Sequence, residues 1–364
     1  MRTMVMVLCA LAVPAAARAH GRVYTQSNAA EGNDVLVFER GSDGALTLAA
    51  KVSTGGRGAG AGLGSQSALA LSADGRWLLA ANAGSNDVSV FSVRRHGLRL
   101  RARAATGGEK PISVAVHDDL VYVLDAGGDG DVSGFHLDDD GSLTPIGRHA
   151  LANAAPAPAQ VAFSPSGDLL VVTEKGTNCI DFIPLDDDGR AGSATCHPSA
   201  GQTPFGFAFA PSERDWFGNR YDRLVVSEAF GGAPGAATVS TYLVAGDRLD
   251  ALAPAVRTEQ TAACWIALAD RGRYAYSTNT GSGNVSGFRL DDDGALRLLL
   301  PDGDSGDTGA GSAPTDAAVS DGFLDVLDSG THAVSTFRVR RDGSLALVAS
   351  LRGLPPAAAG LVAR

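Results

Sequence analysis

Residues 111–146 read PISVAVHDDLVYVLDAGGDGDVSGFHLDDDGSLTPI, and this stretch carries the signals of four consecutive β-strands. A short apolar strand begins at Pro111, and a turn separates it from a second apolar strand at 120–124. A third strand alternates over 131–137, and an Asp-Gly hairpin, whose glycine supplies a positive φ, leads to the fourth. The stretch therefore predicts one antiparallel four-stranded sheet.

The same pattern recurs along the chain. The motif Pro-x-x-x-Ala followed by an apolar residue occurs at 111–115, 158–162, 204–208 and 314–318, with degenerate copies at 66–70, 263–267 and 356–360. Repeats in the mid-forties, each with four short strands, are typical of β-propeller blades. With 45% apolar residues, 19% charged residues and 46 glycines, the composition suits many short strands joined by tight turns. The sequence predicts an all-β, seven-bladed β-propeller.

The two ends of the chain predict how the ring closes. The first repeat begins with its second strand, at 22–25, and lacks an inner strand. An isolated copy of that missing strand stands at the C-terminus, at 358–363. Pairing of the two segments in one blade would remove the exposed sheet edges of an open array. We expect residues 20–364 to form a single propeller domain closed in this way.

The first 19 residues have the pattern of a signal peptide. Arg2 gives a positive start, residues 5–17 are apolar, and Ala17-Arg18-Ala19 forms a cleavage pattern before His20. The apolar run is short for a membrane span. We therefore expect an exported protein, periplasmic or extracellular, without a membrane span. The net charge of −10 argues against a nucleic-acid partner, and we expect a monomer with a small-molecule ligand.

Export into an oxidising compartment makes the cysteines informative. Cys179 and Cys196 flank a hairpin turn at 186–189, and they are equidistant from its centre. Residues equidistant from an antiparallel turn lie opposite each other at nearly disulfide distance. The spacing predicts a Cys179–Cys196 disulfide, with two buried free thiols as the alternative.

Several stretches resemble the seven-bladed β-propeller lactonase family. They are LSADGRWL at 71–78, VTEK at 172–175 and NTGSGNVSGF at 279–288. That family includes 6-phosphogluconolactonases and carboxymuconate cyclases, and the resemblance extends over residues 22–364. It implies lactone-ring chemistry, either hydrolysis or the reverse cyclisation.

Propellers place their working face where second strands end and inner strands begin. Every repeat has a carboxylate or carboxamide at the end of its second strand. These residues are Gln26 or Asn28 in the first repeat, and in the other six Asn82, Asp125, Glu174, Glu228, Asn279 and Asp328. A polar residue there can cap the following turn, or it can bind a ligand at the rim. Glutamate is a poor turn residue, so Glu174 and Glu228 are the predicted catalytic pair, facing one solvent-filled pocket.

The starts of the inner strands give further candidates at the same rim. Gln160, Trp265 and Asp316 occupy aligned positions there, and we expect them to contact the ligand. Trp265 either forms a stacking wall for a ring-shaped ligand or plugs the channel. Lys110 and Lys175 are the cations near this rim and could hold a carbonyl oxygen or an acidic group.

Other patterns are not sites. The Asp-Asp-Asp runs, such as 138–140, lack the spacing of a calcium loop, and the histidines are too scattered for zinc. The glycine run at 55–64 precedes a strand rather than a helix, which predicts a mobile rim loop and not a phosphate cradle. We expect neither a cofactor nor a metal.

Two function classes stay open. In the first, the protein hydrolyses or forms a small lactone, with Glu174 or Glu228 activating water and Lys110 or Lys175 binding the carbonyl oxygen. Relatives carry a histidine just after the inner-strand proline, whereas this chain has Ile112, Ala159, Phe205 and Thr315 there. In the second class, the protein is a noncatalytic propeller that binds a small molecule, a glycan or a protein.

Overall fold

The computed structural model describes residues 21–95, 97–214 and 220–364, and they form a ring of seven antiparallel blades. The predicted all-β, seven-bladed propeller is confirmed. The predicted signal peptide, residues 1–19, lies outside the described residues.

Each blade has an inner strand, a second strand, a third strand and an outer strand. In that order, blade 2 contains Leu69–Leu71, Trp77–Asn82, Asp87–Arg94 and Gly97–Ala105; blade 3 Pro111–His117, Leu120–Asp125, Asp131–Leu137 and Leu143–Ala150; and blade 4 Pro158–Phe163, Leu169–Glu174, Cys179–Pro184 and Thr195–Pro198. Blade 5 contains Pro204–Phe209, Arg220–Glu228, Thr238–Ala245 and Arg248–Arg257; blade 6 Ala263–Ala269, Tyr274–Asn279, Asn284–Leu290 and Leu296–Leu298; and blade 7 Pro314–Ser320, Phe323–Asp328, Ala333–Val339 and Leu345–Arg352. Two further short strands pair within blades 5 and 6, Glu213–Arg214 and Gly306–Asp307, and two 3₁₀ turns span Phe230–Gly232 and Asp270–Gly272.

Blade 1 joins both ends of the described chain. Its second, third and outer strands are Gly21–Gln26, Asp34–Arg40 and Leu46–Ser53, and its inner strand is the C-terminal Ala359–Ala363. The inner strand pairs antiparallel with Gly21–Gln26, with Val23 opposite Ala363. The C-terminal strand therefore covers the inner edge of Gly21–Gln26 and completes a four-stranded blade.

The core lies between neighbouring blades because both faces of each sheet are covered. In blade 4, for example, every residue of the second strand Leu169–Glu174 is buried, which fits its continuous apolar run. Aromatic side chains connect successive blades at the face opposite the working face. The Tyr122 hydroxyl donates to the Gly189 carbonyl at 2.8 Å, and the Tyr276 hydroxyl donates to the Gly343 carbonyl at 2.7 Å.

The cysteine hairpin contains a disulfide. Cys179 and Cys196 are bonded, with their Cα atoms 5.5 Å apart. The predicted register was wrong, because Cys179 lies opposite Pro198 and Cys196 lies opposite Asp181. The two cysteines are therefore diagonal neighbours on adjacent strands, two residues out of direct opposition.

Candidate functional site

The polar residues that end the second strands of blades 2–7 point into the blades. All six are fully buried. Five of them contact a hydroxyl of the third strand in the same blade, in the pairs Asn82–Ser89 at 2.8 Å, Asp125–Ser133 at 2.9 Å, Glu228–Ser240 at 2.5 Å, Asn279–Ser286 at 2.8 Å and Asp328–Ser335 at 2.6 Å. This repeated contact joins the second and third strands. The structure therefore gives these residues a common packing role and does not place their side chains at a solvent-filled rim.

Glu228 is held by several donors in blade 5. Its carboxylate accepts from the Ser240 hydroxyl at 2.5 Å and from the Gly201 N–H at 3.1 Å, and the Thr238 hydroxyl donates to its other oxygen. Burial raises the pKa of Glu228, and the hydroxyl donors act in the opposite direction. The Glu228 carboxylate is therefore buried and held by donors of its own blade and of the loop before it.

Glu174 belongs to a different cluster, in blade 4. Its Oε2 accepts from Asn153 Nδ2 at 2.8 Å and from the Thr177 hydroxyl. Asp181 is its neighbour on the third strand, and burial together with the Glu174 carboxyl raises the pKa of Asp181 to about 7. Glu174 Oε1 and Asp181 Oδ1 are both buried without a hydrogen-bond donor. The prediction of one solvent-filled pocket shared by Glu174 and Glu228 was wrong, because both side chains are fully buried in separate clusters.

Asp181 was missed in the sequence, although a signal for it exists. The third strands of blades 2, 3, 5, 6 and 7 carry serine at the position that contacts the strand-end residue. In blade 4 this serine is replaced by Asp181, opposite Val172. The replacement produces a buried carboxyl pair where the other blades have a hydroxyl contact.

The residues near the starts of the inner strands connect neighbouring blades. Gln160 bonds to both backbone groups of Phe207, at 3.0 Å and 2.7 Å, and Asp316 accepts from the Leu361 N–H at 2.9 Å. Asp316 also accepts from the Ala317 N–H, and burial raises its pKa to about 8. The structure thus uses the predicted ligand contacts Gln160 and Asp316 to hold adjacent inner strands together.

An irregularity in each of five inner strands shapes the mouth of the channel. The register shifts just after the first residue of these strands, so that an extra residue is inserted as a β-bulge. The residues in this region are Ile112, Ala159, Phe205, Cys264 and Thr315, of which the first four are buried. We call these five residues the mouth cluster. It includes the positions where the lactonase-like pattern carries histidine, and it is mostly apolar.

The glycine-rich segment 55–67 lies over the mouth cluster, and we call it the roof loop. Gln66 reaches blade 6, where its side chain bonds to both backbone groups of Ile266, at 2.8 Å and 3.1 Å. The Ser65 hydroxyl donates to the Ile112 carbonyl at 2.7 Å. Leu63 is buried in the same hydrophobic cluster as Ile112. These contacts hold residues 63–66 of the roof loop across the channel, whereas the mobility of residues 55–64 stays a prediction.

Trp265 forms part of this closure. Its indole N–H donates to the Ser65 carbonyl at 2.9 Å, and its ring centroid lies 4.9 Å from that of Phe205. Only 4% of the residue is exposed. Of the two sequence-based interpretations, the structure matches a plug rather than a stacking wall.

Lys175 lies at the edge of the roof loop and is partly exposed. Its Nζ donates to the Gly64 carbonyl at 2.5 Å and lies 4.5 Å from the centre of the Phe205 ring. Burial lowers the pKa of Lys175 to about 8; Cys264 opposes the shift, and the Lys110 charge adds to it. Lys110 itself is exposed, with a left-handed φ of 56° just before Pro111. The two predicted cations therefore lie at the mouth of the channel.

One group of side chains has the composition of a metal site. Atoms of Cys179, Asp181 and Cys196 lie within 4.8 Å of one another. The disulfide, however, uses both sulfur atoms, and zinc requires thiolates. In this oxidised form the group does not provide a zinc ligand set.

Comparison with known proteins agrees with the fold. The family model for "Lactonase, 7-bladed beta-propeller" matches residues 30–124 and 110–206. Residues 30–206 of the chain therefore resemble this lactonase family in sequence. No curated protein matches it in sequence.

Among solved structures, the chain resembles a candidate 6-phosphogluconolactonase from Bacteroides uniformis, with a TM-score of 0.72 and 16% identity over 93% of this chain and 98% of the other. It also resembles the periplasmic gluconolactonase of Pseudomonas aeruginosa, with a TM-score of 0.69 and 17% identity over 93% and 98% of the two chains. At these identities the similarity shows a common fold. In the described part of the chain, no helix is long and apolar enough to cross a membrane.

Proposed function

We propose that this propeller hydrolyses small lactones at the mouth of its channel, with Lys175 holding the lactone carbonyl oxygen. The observation that carries the proposal is the position of Lys175. Its ammonium group is partly buried at the edge of the roof loop and is held by the Gly64 carbonyl and the Phe205 ring. A fixed cation in a partly dehydrated position binds developing negative charge more strongly than a solvated cation does.

The reaction needs a water molecule and no redox step. The water oxygen attacks the carbonyl carbon, the ring C–O bond breaks, and the ring oxygen takes a proton to give a hydroxy acid. Negative charge develops on the carbonyl oxygen as the water adds, and the Lys175 ammonium stabilises it. Lys110 adds positive charge to the same mouth, which favours binding of the carbonyl and of an acidic product.

This role has a defined pH dependence. Because burial lowers the pKa of Lys175 to about 8, the ammonium form dominates at pH 7 and is lost as the pH rises through 8. Lactone opening above the uncatalysed rate should therefore decrease on the alkaline side. If Lys175 acted instead as a base, the rate would increase there.

The buried carboxyls receive a different role in this proposal. Glu174 and Glu228 are fully buried, so we assign them to holding the strand ends and not to activating water. The substrates that we favour are unphosphorylated sugar lactones. The predicted export and the net charge of −10 both disfavour a phosphorylated substrate.

A noncatalytic binding function is the second candidate, and the roof loop favours it. The roof loop and the mostly apolar mouth cluster close the channel, and ligands could then bind on the outer surface of the loop without reacting.

A panel of aldonolactones with the protein beginning at His20 distinguishes the two candidates. Proton release proportional to protein concentration supports hydrolysis. A raised melting temperature without proton release supports binding alone and contradicts hydrolysis.

A further inference from the structure

The junction between blades 4 and 5 is built differently from its neighbours, on the face opposite the roof loop. At most other junctions, the hairpin between third and outer strands packs closely against the preceding blade. The hairpin glycines Gly44, Gly141, Gly189, Gly294 and Gly343 each lie so near a side chain of that blade or its surroundings that a Cβ would clash. A Cβ on Gly246, in the corresponding hairpin of blade 5, would meet nothing within 4 Å.

The hairpin of blade 5 does not pack against blade 4 because its turn is short. In blade 5 only residues 246–247 join the third strand Thr238–Ala245 to the outer strand Arg248–Arg257, so the turn does not reach over blade 4. Blade 2 also has a short turn, but there the Arg22 guanidinium spans the junction and donates to the Arg94 carbonyl at 2.8 Å. Blade 4 has Leu169, a buried apolar residue, at the position of Arg22.

The result is a groove of about 560 Å³ between blades 4 and 5. This volume lies within the range of small-molecule sites. Its apolar lining includes Leu169 and Val244, both of which are buried in the hydrophobic cluster between the two blades. The His197 ring lies against Phe182, with ring centroids 4.4 Å apart.

Among the side chains that the structure describes, the charged groups that line the groove are carboxylates. Asp168, Asp222 and Asp247 contribute carboxylates, and no lysine or arginine contributes to the lining among the described residues. Asp247 is exposed at the turn and makes no ion pair with any described residue. Burial lowers the pKa of His197, which keeps the imidazole uncharged near neutral pH. The exposed Asp247 carboxylate would repel an anion, such as the hydroxy-acid product of lactone opening.

We propose that this groove is a second ligand site, which binds a small organic cation: an ammonium group beside Asp247 and an apolar body against Leu169 and Val244. Charge complementarity selects the cation, and the apolar floor binds the remainder of the molecule. The site lies at the end of the blades opposite the mouth, so its occupancy is independent of lactone hydrolysis.

Phenethylammonium is a suitable probe, with 2-phenylethanol as the neutral analogue and 3-phenylpropanoate as the anionic one. Titration calorimetry with the protein beginning at His20 should show binding of the cation at least tenfold tighter than that of either analogue. Equal affinity for 2-phenylethanol, or no binding of the cation, would overturn the proposal.

Two variants locate the site. Leu169→Trp puts into the groove the residue that blade 2 has at this position, Trp77, and should weaken binding of the cation at least tenfold. Asp247→Asn should weaken it about fivefold or more while leaving the fold intact, since Asp247 is an exposed turn residue. The control is Asp342→Asn, in the hairpin of blade 7, and it should leave the affinity unchanged. Unchanged affinity in Asp247→Asn, or an equal loss in Asp342→Asn, contradicts the assignment even if Leu169→Trp fails to fold.

Discussion

The Arg40 guanidinium of blade 1 lies 2.6 Å from the Asp325 carboxylate of blade 7, and both side chains are completely buried. Arg40 also donates to the Ser320 hydroxyl at 2.6 Å, and Asp325 accepts from the Thr336 hydroxyl at 2.7 Å. The pair thus joins the blade that contains both ends of the described chain to the blade before it.

Removal of either partner should destabilise the ring. Arg40→Ala leaves the buried Asp325 carboxylate without its counterion, which costs about 3–5 kcal/mol. Asp325→Ala should cost less, because Arg40 keeps the half-exposed Asp321 carboxylate at 3.3 Å. Arg248→Ala, which breaks the exposed pair with Asp250, is the matched control and should cost at most about 1 kcal/mol. Urea unfolding of the three variants measures these costs. If the variants of the buried and the exposed pair lost similar free energies of unfolding, the Arg40–Asp325 pair would not stabilise the ring more than a surface ion pair does.

The buried carboxyls predict that stability decreases as the pH rises. Burial raises the pKa of Asp125 to about 7, whereas an unfolded aspartate titrates near 4. Between these two pKa values the proton is bound to Asp125 in the folded chain but not in the unfolded chain. The resulting contribution to the free energy of unfolding is complete below pH 4 and is lost as the pH rises through 7.

Asp125→Asn tests this pH dependence. Asn82 and Asn279 occupy the same position in other blades and donate to the matching serines, so the carboxamide introduced by the substitution can donate to Ser133. The variant should match the wild type near pH 4 and be more stable by about 1–3 kcal/mol at pH 8. Asp140→Asn, at an exposed hairpin tip, is the control. Equal urea midpoints for Asp125→Asn and the wild type at pH 8 would refute the prediction.

The cysteines predict a definite thiol count. A chain that begins at His20 should show no reactive thiol when folded, one in denaturant and three after reduction, because Cys264 is buried and Cys179 is bonded to Cys196. Alkylation followed by mass spectrometry counts them. Three labelled thiols in denaturant without reductant, in protein taken from an oxidising compartment, would contradict the disulfide.

The fold could be predicted from the sequence because its signals are local and repeated. The third strands and the Asp-Gly hairpins each lie within a few residues of one another, and the isolated C-terminal strand accounts for blade 1. The site could not be predicted in the same way. Gln66 and Ile266 are 200 residues apart, and nothing in either segment alone indicates that they meet across the channel.

Side-chain direction was the other source of error. Alignment placed Glu174 and Glu228 correctly at equivalent strand ends, but whether such a side chain enters the channel or the blade depends on its neighbours. In blade 5 these neighbours are the hydroxyls of Thr238 and Ser240, which attract the carboxylate inward.

The sequence predicted Glu174 and Glu228 as the catalytic pair, and the structure leads to the opposite expectation. Glu174→Gln and Glu228→Gln should each leave the rate of lactone opening within about threefold of the wild type, since neither carboxyl reaches solvent. Melting temperature and kcat/KM should be measured on the same samples. A loss of about 10²-fold or more in kcat/KM by a stably folded variant would restore a catalytic role to that glutamate.

The most direct test of the proposed function is the rate of lactone opening by Lys175→Met. Methionine keeps the apolar part of the side chain beside Phe205 and removes the ammonium group, so kcat/KM should decrease by about 10²–10³-fold. Lys51→Met, which removes an exposed lysine paired with Asp34 on an outer strand, is the matched control and should keep the full rate. A Lys175→Met protein that opens lactones as fast as the wild type would contradict the proposed function.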